Sequence, residues 1–295
     1  MSTRIAAGLL AAFLLAGCES RVDTKDVLQS MQRLNTDHDL PLSEKFARLS
    51  NLASAFGDAP GVLSDIQLRD AFTAASMTLF YATLAGDRTA DRWLDQLQAT
   101  YSELQRRALV DDSETLALFD HLITLRRFDD ASALKLASAA LSGRIVPSVH
   151  FAPGFDERQR ATMTLRQDGE WDVANAKLGA RSVVAVVGCA NSAGAVSGLA
   201  SDAALMQRLD DANVLWLTDA SALAMEGAVA WWNAELPNQP VQVAWRNDVW
   251  TGIDFGTMPT FHYVRNGRVI GKHDGAEPST PREIRAGLEA LSASP

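Results

Sequence analysis

Apolar residues in the first half of the chain recur three or four positions apart, which is the spacing of one face of an α-helix. Phe46, Leu49, Leu52 and Phe56 form one such stripe. The periodic stretches end at short polar or glycine-containing breaks, at 57–61, 86–87, 111–113 and 126–130. The pattern over 41–142 therefore predicts a domain of helices joined by short turns.

Two of the predicted turns echo each other in sequence. Residues 83–94 read TLAGDRTADRWL, and residues 124–134, about 41 positions later, read TLRRFDDASAL. The second segment resembles the inter-helix turn of tetratricopeptide-type repeats, whose regular period is about 34 residues. A repeat array and a non-repetitive helical bundle both stay open, and the irregular spacing favours the bundle. Either arrangement offers a binding surface more readily than a catalytic centre.

The second half of the chain has a different pattern, in which short β-rich runs alternate with helical ones. Asp168-Gly169 and Asn266-Gly267 predict the turns of two hairpins. Predicted strands cover 161–165, 171–174, 182–187, 213–217, 241–245, 261–264 and 268–272, and predicted helices cover 192–209, 220–236 and 281–291. Pro147 and Pro153 mark residues 143–160 as the linker to this domain, which spans 161–295.

The bulk composition fits this division into two globular domains. A chain of 295 residues accommodates two domains of roughly 150 residues each. Hydrophobic residues make up 47% and charged residues 21%, which indicates a folded chain. A net charge of -9 without a Lys/Arg cluster argues against nucleic acid as a partner, because phosphate binding requires basic patches.

The first residues have the pattern of a secretory signal. One arginine precedes an apolar stretch that is too short to span a bilayer, and Leu15-Ala16-Gly17-Cys18 follows. This tetrapeptide resembles the lipobox of bacterial lipoproteins. The resemblance implies cleavage after residue 17 and lipid on Cys18, followed by a tether over 18–40. Glu19, after the cysteine, implies the outer rather than the inner membrane. An ordinary signal peptide with a chance cysteine is the alternative.

Cys189 is then the single free thiol, because the chain has 2 cysteines. It follows the predicted strand 182–187 and precedes a predicted helix. Backbone N–H groups and the helix dipole at a helix N-terminus favour the thiolate form. The sequence thus predicts a thiol in a reactive setting, in a compartment where it has no internal partner.

Residues 256–261, GTMPTF, place a proline before a strand that continues into VRNGRVIGKHDGA at 264–276. With the strand–cysteine–helix sequence, this resembles the thioredoxin fold, and the leading hairpin is similar to the periplasmic TlpA-type branch. The resemblance covers about 162–291. It implies an α + α/β protein, in which a helical-hairpin domain precedes a thioredoxin-like domain with a central mixed sheet flanked by helices. It also implies a cis Met258–Pro259 bond facing Cys189, with Met258, Pro259 and Thr260 holding an extended segment.

The chain departs from that family at three positions. Ser192 replaces the second, resolving cysteine, and a serine cannot form a disulfide. Gly188 stands where the family often has tryptophan, and Val183 stands where thioredoxins proper have a buried acid. Self-contained dithiol oxidoreduction is therefore not expected of this chain.

Three functions stay open at this point. The first is a binding groove beside Pro259 for an extended segment of a periplasmic or envelope protein. The second is single-thiol exchange through Cys189, which is the only enzymatic role considered. The third is an adaptor acting through the helical domain. The expected location is the periplasmic face of the envelope, through the lipid on Cys18. No residue pattern indicates a metal, nucleotide or haem, and no cofactor is expected.

Overall fold

A computed structural model describes residues 24–37, 39–57, 59–225, 227–275 and 280–293. The predicted signal peptide, Cys18 and Glu19 lie outside the described residues, so the lipobox assignment stays a prediction.

Six helices form the N-terminal part of the fold, called here the helical unit. They are α1 (Thr24–Thr36), α2 (Leu42–Ala53), α3 (Asp65–Leu84), α4 (Ala90–Arg106), α5 (Asp112–Thr124) and α6 (Phe128–Ala137). Ser64 and Asp111 begin α3 and α5 with capping boxes, in which the side chain at the helix start and the side chain three positions later exchange hydrogen bonds with the backbone.

Helix α1 belongs to the packed part of the helical unit. Val27 and Met31 are buried in the same hydrophobic cluster as Leu49 and Phe56 from the predicted apolar stripe. The segment that the sequence assigned to a tether over 18–40 thus contains a helix that covers the core. The helical character of 41–142 is as predicted.

Eight strands form one mixed sheet. They are β1 (Val149–Phe151), β2 (Ala161–Leu165), β3 (Trp171–Asn175), β4 (Arg181–Val186), β5 (Val214–Thr218), β6 (Gln242–Ala244), β7 (Thr260–Arg265) and β8 (Arg268–Asp274). Their order is β1-β3-β2-β6-β5-β4-β7-β8. Strands β4, β5 and β6 are parallel, whereas β7 pairs antiparallel with both β4 and β8. Strand β1 lies within the predicted linker and pairs with β3.

Helices α7 (Ala190–Ala200), α8 (Ala203–Asp211), α9 (Ala228–Glu235) and α10 (Thr280–Ser292) accompany the sheet, and together they form the sheet unit. The single helix predicted over 192–209 is wrong, because Asp202 accepts the N–H of Leu205 and begins a second helix. The helix predicted over 220–236 is also interrupted. Gly227, at φ +78°, starts α9 after a short 3₁₀ turn at Ala220–Leu223.

The two faces of the sheet are covered by different parts of the chain. Alternate residues of β4 point to opposite faces. Val183 and Ala185 join the cluster formed with α7, α8 and α10, whereas Val184 and Val186 join Trp250 and Phe255. The latter two lie in the segment between β6 and β7, which therefore covers one face of the sheet. The structure is a mixed α/β fold in which a helical region precedes the sheet.

Candidate functional site

The cysteine and proline singled out by the sequence lie at the same end of the sheet. Val186, the last residue of β4, pairs with Thr260, the first residue of β7. Cys189 follows Val186 by three positions, and Pro259 immediately precedes Thr260. The antiparallel register therefore places both beyond the same end of the β4–β7 pair.

Gly188 connects the two halves of this site. Its φ is +140°, a conformation that favours glycine. A Cβ atom there would lie 2.4 Å from Oγ1 of Thr218 and 3.9 Å from Sδ of Met258. Thr218, at the end of β5, occupies the space that a side chain at position 188 would need.

Cys189 and Ser192 form the N-terminal cap of α7. The thiol accepts the N–H of Ser192 at 3.4 Å, and Oγ of Ser192 accepts the N–H of Cys189 at 3.0 Å. The same Oγ accepts the N–H of Gly188 at 3.0 Å. Ser192 is fully buried, whereas Cys189 is exposed and has no disulfide partner. The serine at the resolving position therefore has a definite structural role, and the thiol faces solvent.

The Met258–Pro259 peptide bond is cis, as the resemblance implied. The carbonyl of Pro259 accepts the N–H of Gly275 at 2.7 Å, and the hydroxyl of Thr260 donates to the carbonyl of Thr257 at 2.7 Å. Pro259 and Thr260 are buried, and Met258 is half-buried. No residue in the described part of the chain pairs with the backbone N–H or C=O of Met258. The main-chain groups of Met258 thus have no partner among the described residues, and its side chain lies next to Gly188.

A buried histidine fixes the segment that leads to Met258. Nε2 of His262 in β7 accepts the N–H of Asp254 at 3.0 Å, and burial lowers the pKa of His262 to about 4. The carboxylate of Asp254 accepts the N–H of Gly256 at 2.9 Å and the ammonium of Lys272 at 2.9 Å. Burial opposes ionisation of Asp254, but these hydrogen bonds hold its pKa below the ordinary value. The neutral imidazole therefore acts as a hydrogen-bond acceptor.

Two of these contributors carry no strong sequence signal. Thr218 meets Gly188 only because β4 and β5 pair in parallel. His262 lies in a β-rich run, where its sequence context is that of any polar strand residue. Its role depends on the segment around Asp254, which folds over it in the structure. Val183 is fully buried among apolar residues.

The helical unit contacts the sheet unit next to this site. Asn247 donates from Nδ2 to the carbonyl of Thr83 at 2.9 Å, and its Oδ1 accepts the N–H of Ala220 at 3.0 Å. Arg126 donates to the carbonyls of Ala220 and Ala244 at 3.2 and 2.7 Å. These contacts dock the helical unit on the carboxyl ends of β5 and β6. The neighbouring strand β4 ends at the same edge, where Cys189 lies.

Burial changes the ionisation of the two charged groups at this junction. It lowers the pKa of Arg126 to about 9 and raises the pKa of the Asp219 carboxyl. Arg126 also lies over the indole of Trp245, with 5.5 Å between the guanidinium carbon and the ring centroid. The guanidinium of Arg126 thus joins the two units, and its hydrogen bonds go to backbone carbonyls.

Over the described ranges, no three His, Cys, Asp or Glu side chains come together as ligands of a metal ion. None of the helices in that part of the chain is both long enough and apolar enough to cross a membrane. The chain matches no family model, no curated protein and no solved structure.

Proposed function

We propose that the protein is a membrane-anchored periplasmic lipoprotein whose sheet unit is a thioredoxin-like binding module. Its groove beside Met258–Pro259 holds an extended segment of an envelope protein. The observation that carries this proposal is the open backbone of Met258 beside Gly188 and the exposed Cys189. Extended peptides bind sheet edges through main-chain hydrogen bonds, which need such unpaired groups.

The order of elements supports the thioredoxin-like assignment. Strand β4 lies inside the sheet, with parallel β5 on one side and antiparallel β7 on the other, and β8 pairs antiparallel with β7. A helix follows β4 directly, and a final helix, α10, follows β8. Strand–helix–strand connections followed by a hairpin and a helix are the arrangement that the resemblance implies.

The chemistry at the end of β4 favours binding over dithiol oxidoreduction. Ser192 Oγ is buried and engaged with two backbone N–H groups. A hydroxyl cannot displace a mixed disulfide on Cys189, so a covalent partner stays attached until another thiol releases it. A module that binds without turnover fits this arrangement best.

Single-thiol exchange is the second candidate, favoured by the exposed thiol at the start of α7. The Cys189 thiolate attacks one sulfur of a partner's disulfide, and the bond between the two partner sulfurs breaks. The products are a mixed disulfide and a partner thiolate. A thiol of the partner then displaces Cys189, so the exchange leaves the net oxidation state unchanged.

The experiment that tests the proposal places a photo-activatable crosslinker at Thr257 in the full chain, in cells. Thr257 is exposed and precedes Met258. The matched control places it at Arg268, which is exposed at the opposite end of the β7–β8 hairpin. We expect discrete envelope-protein adducts from Thr257 alone. Equal adducts from both positions, or none from either, would overturn the proposal.

A further inference from the structure

A cleft of about 520 Å³ lies between the helical unit and the sheet unit, and neither Cys189 nor Met258 lines it. The α3–α4 turn, with Gly86 and Asp91, and the α5–α6 turn, with Leu125 and Arg126, form one wall. These turns belong to the segments 83–94 and 124–134 whose sequences echo each other. The segment after β6, with Trp245 to Val249, forms the other wall. The volume is within the range of small-ligand and peptide pockets.

The walls of the cleft are held in place before anything binds. Asn247, which is 7% exposed, joins Thr83 to Ala220, as described above. Gly86 approaches so closely that a Cβ atom there would lie 3.0 Å from Cα of Asp248. A rigid cleft loses little conformational entropy on binding, which favours affinity.

Most basic groups in the cleft already have partners within the chain. Arg246 forms two hydrogen bonds with the carboxylate of Asp248, at 2.9 and 2.7 Å. Arg158 pairs with Asp156 at 3.1 Å. Arg126 is bound to backbone carbonyls. Arg88 alone among the four arginines that line the cleft has no ion pair or hydrogen bond in the described part of the chain.

Two carboxylates are left with weaker interactions. Asp91 and Glu157 are exposed at the mouth, and neither forms a hydrogen bond or close ion pair with a described residue. Both act on Arg246 only through longer-range attraction. Asp87 adds a third carboxylate, which accepts the N–H of Thr89 at 2.8 Å. Beside the paired arginines, these three carboxylates outnumber Arg88, unpaired among the described residues, so the mouth keeps an excess of negative charge next to half-buried apolar surface from Leu125 and Val249.

One donor in the cleft also lacks an acceptor. Nε of Arg126 is buried without a hydrogen-bond partner among the described residues. A buried donor without a partner is unfavourable, and a peptide carbonyl is the acceptor that would satisfy it.

We infer that this cleft binds an extended segment of a partner protein through a lysine or arginine side chain. The aliphatic stem packs on Leu125 and Val249, the charge pairs with Asp91 and Glu157, and a backbone carbonyl accepts from Arg126. This site is separate from Met258 and Cys189, so it does not depend on the function proposed above.

Fluorescence anisotropy of the full chain with two labelled peptides tests this inference. The probes are Gly-Lys-Leu-Lys-Leu-Gly and Gly-Glu-Leu-Glu-Leu-Gly. We expect the lysine peptide to bind at least ~10-fold more tightly, and its affinity to fall as salt is added. The double variant Asp91→Asn/Glu157→Gln should weaken its binding by about 10-fold, because each lost charge pair contributes roughly 1 kcal/mol or less at a surface.

The matched control is Asp112→Asn/Asp210→Asn, which removes two exposed carboxylates that do not line the cleft and should leave the affinity within about twofold. Circular dichroism establishes that both variants are folded. Equal affinity for the two peptides, or equal weakening by both double variants, would overturn the inference. Variants at Met258 and Cys189 should leave binding of the lysine peptide unchanged. Failure of this inference is therefore distinguishable from failure of the function proposed for the groove beside Met258.

Discussion

The hydroxyl oxygen of Ser192 lies 3.0 Å from the backbone nitrogen of Cys189 and accepts its N–H. Ser192 thus holds the backbone of the residue that carries the exposed thiol. This relationship explains how the turn from β4 into α7 keeps its shape.

Ser192→Ala should destabilise the protein by about 1–2 kcal/mol, because the N–H groups of Gly188 and Cys189 both lose their acceptor. Urea denaturation gives the free energy of unfolding. Ser197→Ala, on the same helix but exposed, is the control and should change it by less than about 0.5 kcal/mol. An equal effect of the two substitutions would contradict the proposed role of Ser192.

Gly188→Ala should destabilise the protein by about 3 kcal/mol, because the new methyl group meets Thr218 and the backbone conformation disfavours it. Adding Thr218→Ala removes the closest atom and should recover about 1 kcal/mol of the loss. Gly198→Ala in α7 is the matched control. It has open space around its Cα and should be neutral or stabilising. Chemical denaturation of Gly188→Ala, Thr218→Ala, their double variant and Gly198→Ala tests this, and additive effects of the first two substitutions would rule out the contact.

Acid should destabilise the sheet unit through His262. Its pKa is about 4 in the folded chain and near 6.5 in an unfolded one. Between these values the unfolded chain binds a proton that the folded chain does not, so the free energy of unfolding falls as pH falls from about 6.5 to about 4. The full loss is on the order of 3 kcal/mol. The neighbouring charges are Asp254, Lys272 and Asp274.

His262→Gln should flatten this acid dependence, since glutamine retains an acceptor for the N–H of Asp254 but does not titrate. His121 provides a comparison in the helical unit, because burial lowers its pKa to about 4 as well. Its Nε2 lies 2.8 Å from the hydroxyl of Ser76. Unfolding curves of His262→Gln and His121→Gln should be measured between pH 4 and 7. Each substitution should remove part of the slope of the free energy of unfolding against pH. An unchanged slope in His262→Gln would exclude it as the titrating group.

Asn247→Ala should weaken the docking of the helical unit by about 2–4 kcal/mol, because the carbonyl of Thr83 and the N–H of Ala220 lose their partner in a buried position. Limited proteolysis near the α3–α4 turn reports the docking directly, and faster cleavage there is expected. Asn35→Ala, whose Oδ1 accepts from Tyr81 within the helical unit, is the control and should leave cleavage at this turn unaffected.

Local signals predicted much of the fold. The hairpin turn at Asn266-Gly267 has positive φ at both residues, as that dipeptide favours. The strand before Cys189 and the start of a helix after it are also as predicted, and the cis bond at Pro259 is as the resemblance implied. The break between α7 and α8 was missed because small apolar residues on both sides continue a helical pattern, although Asp202 is a suitable capping residue.

Long-range contacts were beyond sequence reasoning. The fit of Gly188 against Thr218 and the pairing of Asn247 with Thr83 depend on elements far apart in the chain. Neither leaves a periodic pattern. The cleft between the units follows from the docking itself. The similarity between residues 83–94 and 124–134 drew attention to both turns that line the cleft. It did not predict that the two turns lie side by side against the sheet unit.

Crosslinking from Thr257 in wild-type and Cys189→Ala cells, analysed after reduction, tests the central claim most directly. A groove that binds through Met258 and the neighbouring backbone predicts the same reductant-resistant adducts at the same yield in both. Adducts that disappear in Cys189→Ala would contradict the account and assign the interaction to the thiol.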